Sequence, residues 1–198
     1  MTDGAPTSPP AEVRLLDTPG AATLASLAAM FEDLQTVLRS CEHLVSAIAA
    51  EGPPDDLVIE GVWTVALLSY GRCFTGPHAL SEDDLTAAVA SKEAVEWHRV
   101  LLELRGHHSD QENNPREQFS VGVALDPDGA ADGIAITSVR QPLVDDLTVR
   151  QTGAIAYGLS ALVNDRIVAQ QQRVLEELKD TPKATLEALP RLEVVQPD

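Results

Sequence analysis

Cysteine is nearly absent: Cys41 and Cys73 are the only two in 198 residues. Both fall within apolar helical patterns, where a free thiol behaves as a small hydrophobe. That excludes a disulfide framework and points to two reduced core thiols. Basic residues are also scarce, 14 Lys and Arg against 31 Asp and Glu, so the formal net charge is −17. A surface of that sign repels phosphate backbones, which argues against DNA and against nonspecific RNA binding. Long apolar runs are missing too. The best stretch, Gly61 to Tyr70, is about half the roughly 20 residues that a membrane-spanning helix needs. The start, Met-Thr-Asp-Gly-Ala-Pro, lacks the cationic and apolar regions of a secretion signal. A cytoplasmic protein without a membrane anchor is the expectation.

Catalytic signatures are equally thin. Gly153 and Gly158 lie within a helical pattern with no strand leading into them, so they do not form a phosphate-cradling loop. Ser160 lacks flanking glycines and has no histidine after it, which excludes the hydrolase nucleophile elbow. No pair of Glu-x-x-His segments exists for a di-metal bundle site. Glu103 and His107, four residues apart, read as a solvated helix face. Asp126, Asp128 and Asp132 lack calcium-loop spacing and read as turn residues. No metal and no cofactor are implied.

What the chain does have is helical periodicity. With 44% hydrophobic residues it suits one domain with a sizeable core. Residues 1–20 hold Ala5-Pro6-Thr7-Ser8-Pro9-Pro10 and Thr18-Pro19-Gly20, a composition that predicts a disordered arm. Leu24, Leu27, Phe31, Leu34, Leu38, Cys41, Val45 and Ile48 then recur in steps of three and four, a seam able to meet a helix of the same chain or of a second copy. Glu51-Gly52-Pro53-Pro54 ends that helix. Asp55 and Asp56 open the next, which runs to about Cys73; its apolar residues cover most of the circumference, which predicts a central position. Ser81 caps a short helix, and another runs from about Ser91 to near Gly106.

After a polar loop the period changes to two. Phe119, Val121, Val123 and Leu125 alternate with small residues, Asp126-Pro127-Asp128-Gly129 is turn chemistry, and Ile134 and Ile136 alternate again. This predicts a β-hairpin over about 119–139, packed on the helices. A long helix resumes near Asp145, turns polar beyond Ala169 and ends at Thr181-Pro182, with residues 181–198 as an irregular tail. The expected fold is mainly α: a bundle of about five helices within residues 21–180, with one hairpin inserted before the long C-terminal helix.

The densest functional grouping is His98, Arg105, His107 and His108. A histidine beside an arginine at a helix end can hold a phosphate and move a proton near neutral pH, so Arg105, His107 and His108 are the candidate catalytic residues of a metal-independent ribonuclease. The simpler reading is a helix terminus where His107 and His108 meet the dipole and Arg105 pairs with an acidic neighbour. Arg99, Arg105 and Arg116 are close in sequence and offer a local basic pocket. Trp63, Tyr70, Trp97 and His98 are the candidate lining of a small-ligand pocket. Tyr70-Gly71-Arg72-Cys73-Phe74 ending one helix, and Leu104-Arg105-Gly106-His107-His108 ending another before an Asn-rich loop, resemble the HEPN superfamily, in particular its abortive-infection branch, over roughly residues 24–118. In that family an Arg followed after four to six residues by a His, at the end of a helix, forms a ribonuclease site completed across a dimer. At that distance from Arg105 this chain has Asp110, Gln111 and Glu112. The resemblance thus implies a degenerate member that keeps the bundle and lacks cleavage. The function expected is a non-catalytic binding or regulatory module, homodimeric through helix seams and engaging a protein partner that is basic. Its alternatives are the ribonuclease, with RNA as partner, and the small-ligand binder.

Overall fold

The computed structural model describes residues 12–52, 55–89, 91–109, 114 and 116–193. The fold is mainly α, as the periodicity predicts, with six helices and two small antiparallel sheets among these residues. Residues 1–11 of the expected arm and 194–198 of the expected tail lie outside them.

Helix α1 (Pro19–Ala49) is the hub, packed along both α2 (Asp56–Arg72) and α5 (Asp146–Leu178). Leu27, Leu34 and Cys41 of its predicted seam are buried, together with Met30, Val37 and Leu44. The seam is therefore used inside the chain. Helix α1 also starts earlier than composition suggests. Thr18 is extended and accepts a hydrogen bond from the Ala21 amide, while Pro19 takes the first turn, where a missing N–H costs nothing.

Helix α2 is capped by Asp55 and carries Ile59, Trp63, Ala66, Leu67 and Tyr70 into the core. It is not central as expected, for Leu57, Val58 and Val65 on its far side are exposed. The short α3 (Glu82–Ala88) begins with a reciprocal capping box between Ser81 and Asp84. Helix α4 (Lys92–Ser109) buries Ala94, His98 and Leu101 between α2, α3 and α5. Both cysteines are buried and free, and burial pushes Cys41 up to about 11 and Cys73 to about 12, outside the reactive range.

Within the described residues, parts of the expected arm and tail form regular structure. Strand β1 (Val13–Arg14) pairs antiparallel with β4 (Arg191–Leu192), and α6 (Lys183–Glu187) lies within the supposed irregular tail. The polar stretch of α5 is partly tied to the start of α1. Gln170 and Val174 are buried, the Gln170 amide donates to the Gly20 carbonyl, and Val174 packs on Gly20.

Strands β2 (Glu117–Leu125) and β3 (Ala131–Arg140) form the predicted hairpin. Asp126 builds the turn by accepting from the Asp128 and Ala130 amides, and Gly129 supplies a φ of 85°. The expectation that it packs on the helices is overturned: residues 118–125 and 131–140 are all exposed. The hairpin is a ribbon that leaves the bundle at its base.

Candidate functional site

That base is pinned to the first turns of α2. Arg116 bridges to Glu60 and Arg140 to Asp56, while the Gln141 amide bonds the Arg116 carbonyl at 2.8 Å, bringing the two ends of the ribbon side by side. Asn114 accepts from the Arg116 and Glu117 amides and so shapes the entry into β2. Between the base, α2, the end of α4 and the segment Gln141–Val144 lies an open cleft of about 850 Å³. Trp63 and Trp97 line it, with Leu104, Leu143, Val144 and Phe119 as further apolar wall and His107, His108, Arg116 and Arg140 as polar rim. Trp97 is oriented by its indole N–H, which donates to the Thr152 hydroxyl at 3.2 Å.

Of the four candidate pocket residues, the structure brings only two to the cleft. Tyr70 and His98 are core residues outside its lining. The Tyr70 hydroxyl lies 2.8 Å from His98 Nδ1, and Phe74 packs on the imidazole with ring centres 4.3 Å apart. Burial holds His98 below its ordinary value and Tyr70 far above its own, so both are neutral at pH 7.

The candidate catalytic trio is divided as well. His107 and His108 line the cleft; Arg105 does not. The Arg105 side chain crosses Gly71 of α2 so closely that a methyl group there would lie 2.6 Å from its Cδ and 2.8 Å from its Nε. His108 is held below its ordinary value by burial, with Glu60 opposing and Arg116 adding to the effect. Its Nδ1 stands 3.5 Å from the Thr64 hydroxyl, too far for an orienting hydrogen bond. The cleft thus offers a neutral imidazole beside Arg116, whose guanidinium is engaged by Glu60. Arg99 and Arg116 are likewise bound to Glu82 and Glu60, so the predicted basic pocket is not assembled from them. Among the described residues no three His, Cys, Asp or Glu side chains gather as a metal-binding group, and no helix is long and apolar enough to cross a membrane.

The ribbon is the part of the site that sequence reasoning placed wrongly. Its register pairs Val121 with Ile136 and Val123 with Ile134, so these residues share one face with Phe119 and Leu125. All six are more than half exposed. The opposite face carries the small residues Ser120, Gly122, Ala124, Ala135 and Thr137, with Gln118 and the exposed Val139 near the base. Phe119 belongs both to the cleft and to the apolar face, and so joins the base of the ribbon to the cleft that Trp63 and Trp97 line. Compared with known proteins, the chain matches no family model, no curated relative and no solved structure.

Proposed function

We propose that the chain is a non-catalytic binding and regulatory module whose association element is the β-ribbon. The observation that carries this reading is the apolar face of Phe119, Val121, Val123, Leu125, Ile134 and Ile136, laid open to water on an element that, among the described residues, is tied to the bundle at its base by Arg116–Glu60 and Arg140–Asp56. Full burial of an exposed side chain of this kind is worth about 1.5–3 kcal/mol, and more than half of each one's surface is still open to water, so folding of the chain alone leaves most of that stabilisation unrealised. A contiguous apolar patch on this scale marks an interaction surface. Placement of Arg105 across Gly71, away from the cleft holding His107 and His108, fits a degenerate HEPN-like bundle that has kept the arginine as a packing residue. The charge of −17 makes a basic protein the natural partner for the acidic remainder of the surface.

Two measurements test the reading. Total RNA incubated with the purified protein and a chelator stays intact; cleavage that disappears in Arg105→Ala overturns the non-catalytic assignment. An apolar dye that fluoresces on exposed hydrophobic surface binds the diluted protein and loses most of its signal in a Val121→Ser, Ile136→Ser variant. In protein that is monomeric at the dilution used, a signal indifferent to those two residues means that the face is covered within the chain, and the association element is then lost with it.

A further inference from the structure

A two-stranded ribbon with water on both sides is marginal on its own, and stable sheets gain either more strands or a packed face. We propose that the cover for this ribbon is the same face of a second copy of the chain, the two ribbons packing sheet against sheet about a two-fold axis. The inference rests on the ribbon being an association element and names its partner. Charge selects that partner. Two chains of −17 each repel over most of their surfaces, yet residues 118–125 and 133–139 contain no charged side chain at all. That stretch is where two such molecules can meet without placing like charges together, whereas a basic partner would be met by carboxylates that this face lacks.

Area agrees. Six apolar side chains, each more than half exposed, present several hundred Å² of apolar surface, the scale at which a patch marks an interface. A standard interface takes about 800 Å² from each partner, and Leu57, next to the Asp56 anchor of the ribbon base, is 69% exposed and supplies more. Symmetry agrees too, because an apolar face without charges can oppose a copy of itself, as an isologous contact requires. Other parts of this chain are poor covers: residues 1–11 hold no large apolar side chain besides Met1, 110–113 read Asp-Gln-Glu-Asn, and 194–198 offer two valines.

The test is light scattering on the full chain at micromolar concentration. The wild type is expected to be a dimer, a Val121→Glu, Ile136→Glu variant a monomer with unchanged helical circular dichroism, and its mixture with a Val121→Lys, Ile136→Lys variant a dimer again. A wild-type dimer that survives the glutamates overturns the proposal by placing the contact elsewhere. A wild-type monomer overturns it as well, and the dye experiment then separates the two ideas. Dye binding that depends on Val121 and Ile136 leaves the association face standing with a different protein as occupant. Dye binding that ignores them ends both.

Discussion

At Gly71 and Arg105 two helices share a volume that only one side chain can occupy. A methyl at residue 71 would press on Arg105 Cδ at 2.6 Å, so Gly71→Ala is expected to cost about 1–3 kcal/mol, the usual range for overpacking. The cost should fall sharply in an Arg105→Ala background. A double-mutant cycle from urea unfolding checks this, and additive effects would show that the arginine moves aside freely. His98 makes a second residue-scale test. Its folded imidazole is held below the ordinary 6.5 by burial, with Glu82 opposing and Arg99 adding to the shift, and His108 is displaced in the same direction. The unfolded chain therefore binds these protons more readily than the folded one. Stability is fully present above pH 6.5 and is lost as pH falls through that value toward the folded pKa. His98→Gln keeps a hydrogen-bonding group near the Tyr70 hydroxyl and is expected to flatten the decline between pH 7.5 and 5.5, measured by chemical denaturation; an unchanged slope would assign the loss to other groups.

Among the elements, the ribbon makes the most distinctive prediction. Its ends meet at the Gln141–Arg116 hydrogen bond, and no helix packs along it. Replacing residues 117–140 by a short glycine–serine turn should therefore leave the bundle folded. In dilute solution its thermal midpoint is expected to stay within a few degrees of the full chain, since about 1 kcal/mol already moves a domain of this size by roughly 2–4 °C. A collapse of the midpoint would show that the ribbon stabilises its own bundle. Period two and the Asp126-Pro127-Asp128-Gly129 turn made this hairpin legible in the sequence, because alternation and turn chemistry are local. What lies over its apolar face is not local, and an alternating pattern looks the same whether the cover is a helix of the same chain or nothing. Helix α2 misleads for the same reason: Leu57, Val58 and Val65 complete its apolar circumference, which suggests a central place, yet they face water. Thr18-Pro19 was legible in principle, as a capping residue followed by a first-turn proline, but the loop-like composition around it spoke louder. The division of Arg105 from His107 and His108 was hidden, since Gly71, which decides it, comes from another helix.

For the whole molecule, the decisive quantity is the sign of the salt dependence. Each copy carries −17, and in a dimer built through ribbons the two acidic bundles are held at the ends of a neutral contact. Repulsion between them is long-ranged and screened by ions. At about 0.01 M ionic strength the Debye length is about 30 Å and reaches from bundle to bundle; at about 0.15 M it is about 8 Å and does not. The contact itself is apolar and contains no ion pair for salt to weaken. Added sodium chloride is therefore expected to tighten self-association across that range, with the dissociation constant from sedimentation equilibrium falling several-fold. Association with a basic partner through the acidic surface must respond in the opposite direction, because salt removes the attraction that drives it. A dimer that loosened with salt would have to be held by charges, and residues 118–125 and 133–139 have none to offer; the ribbon could not then be the interface.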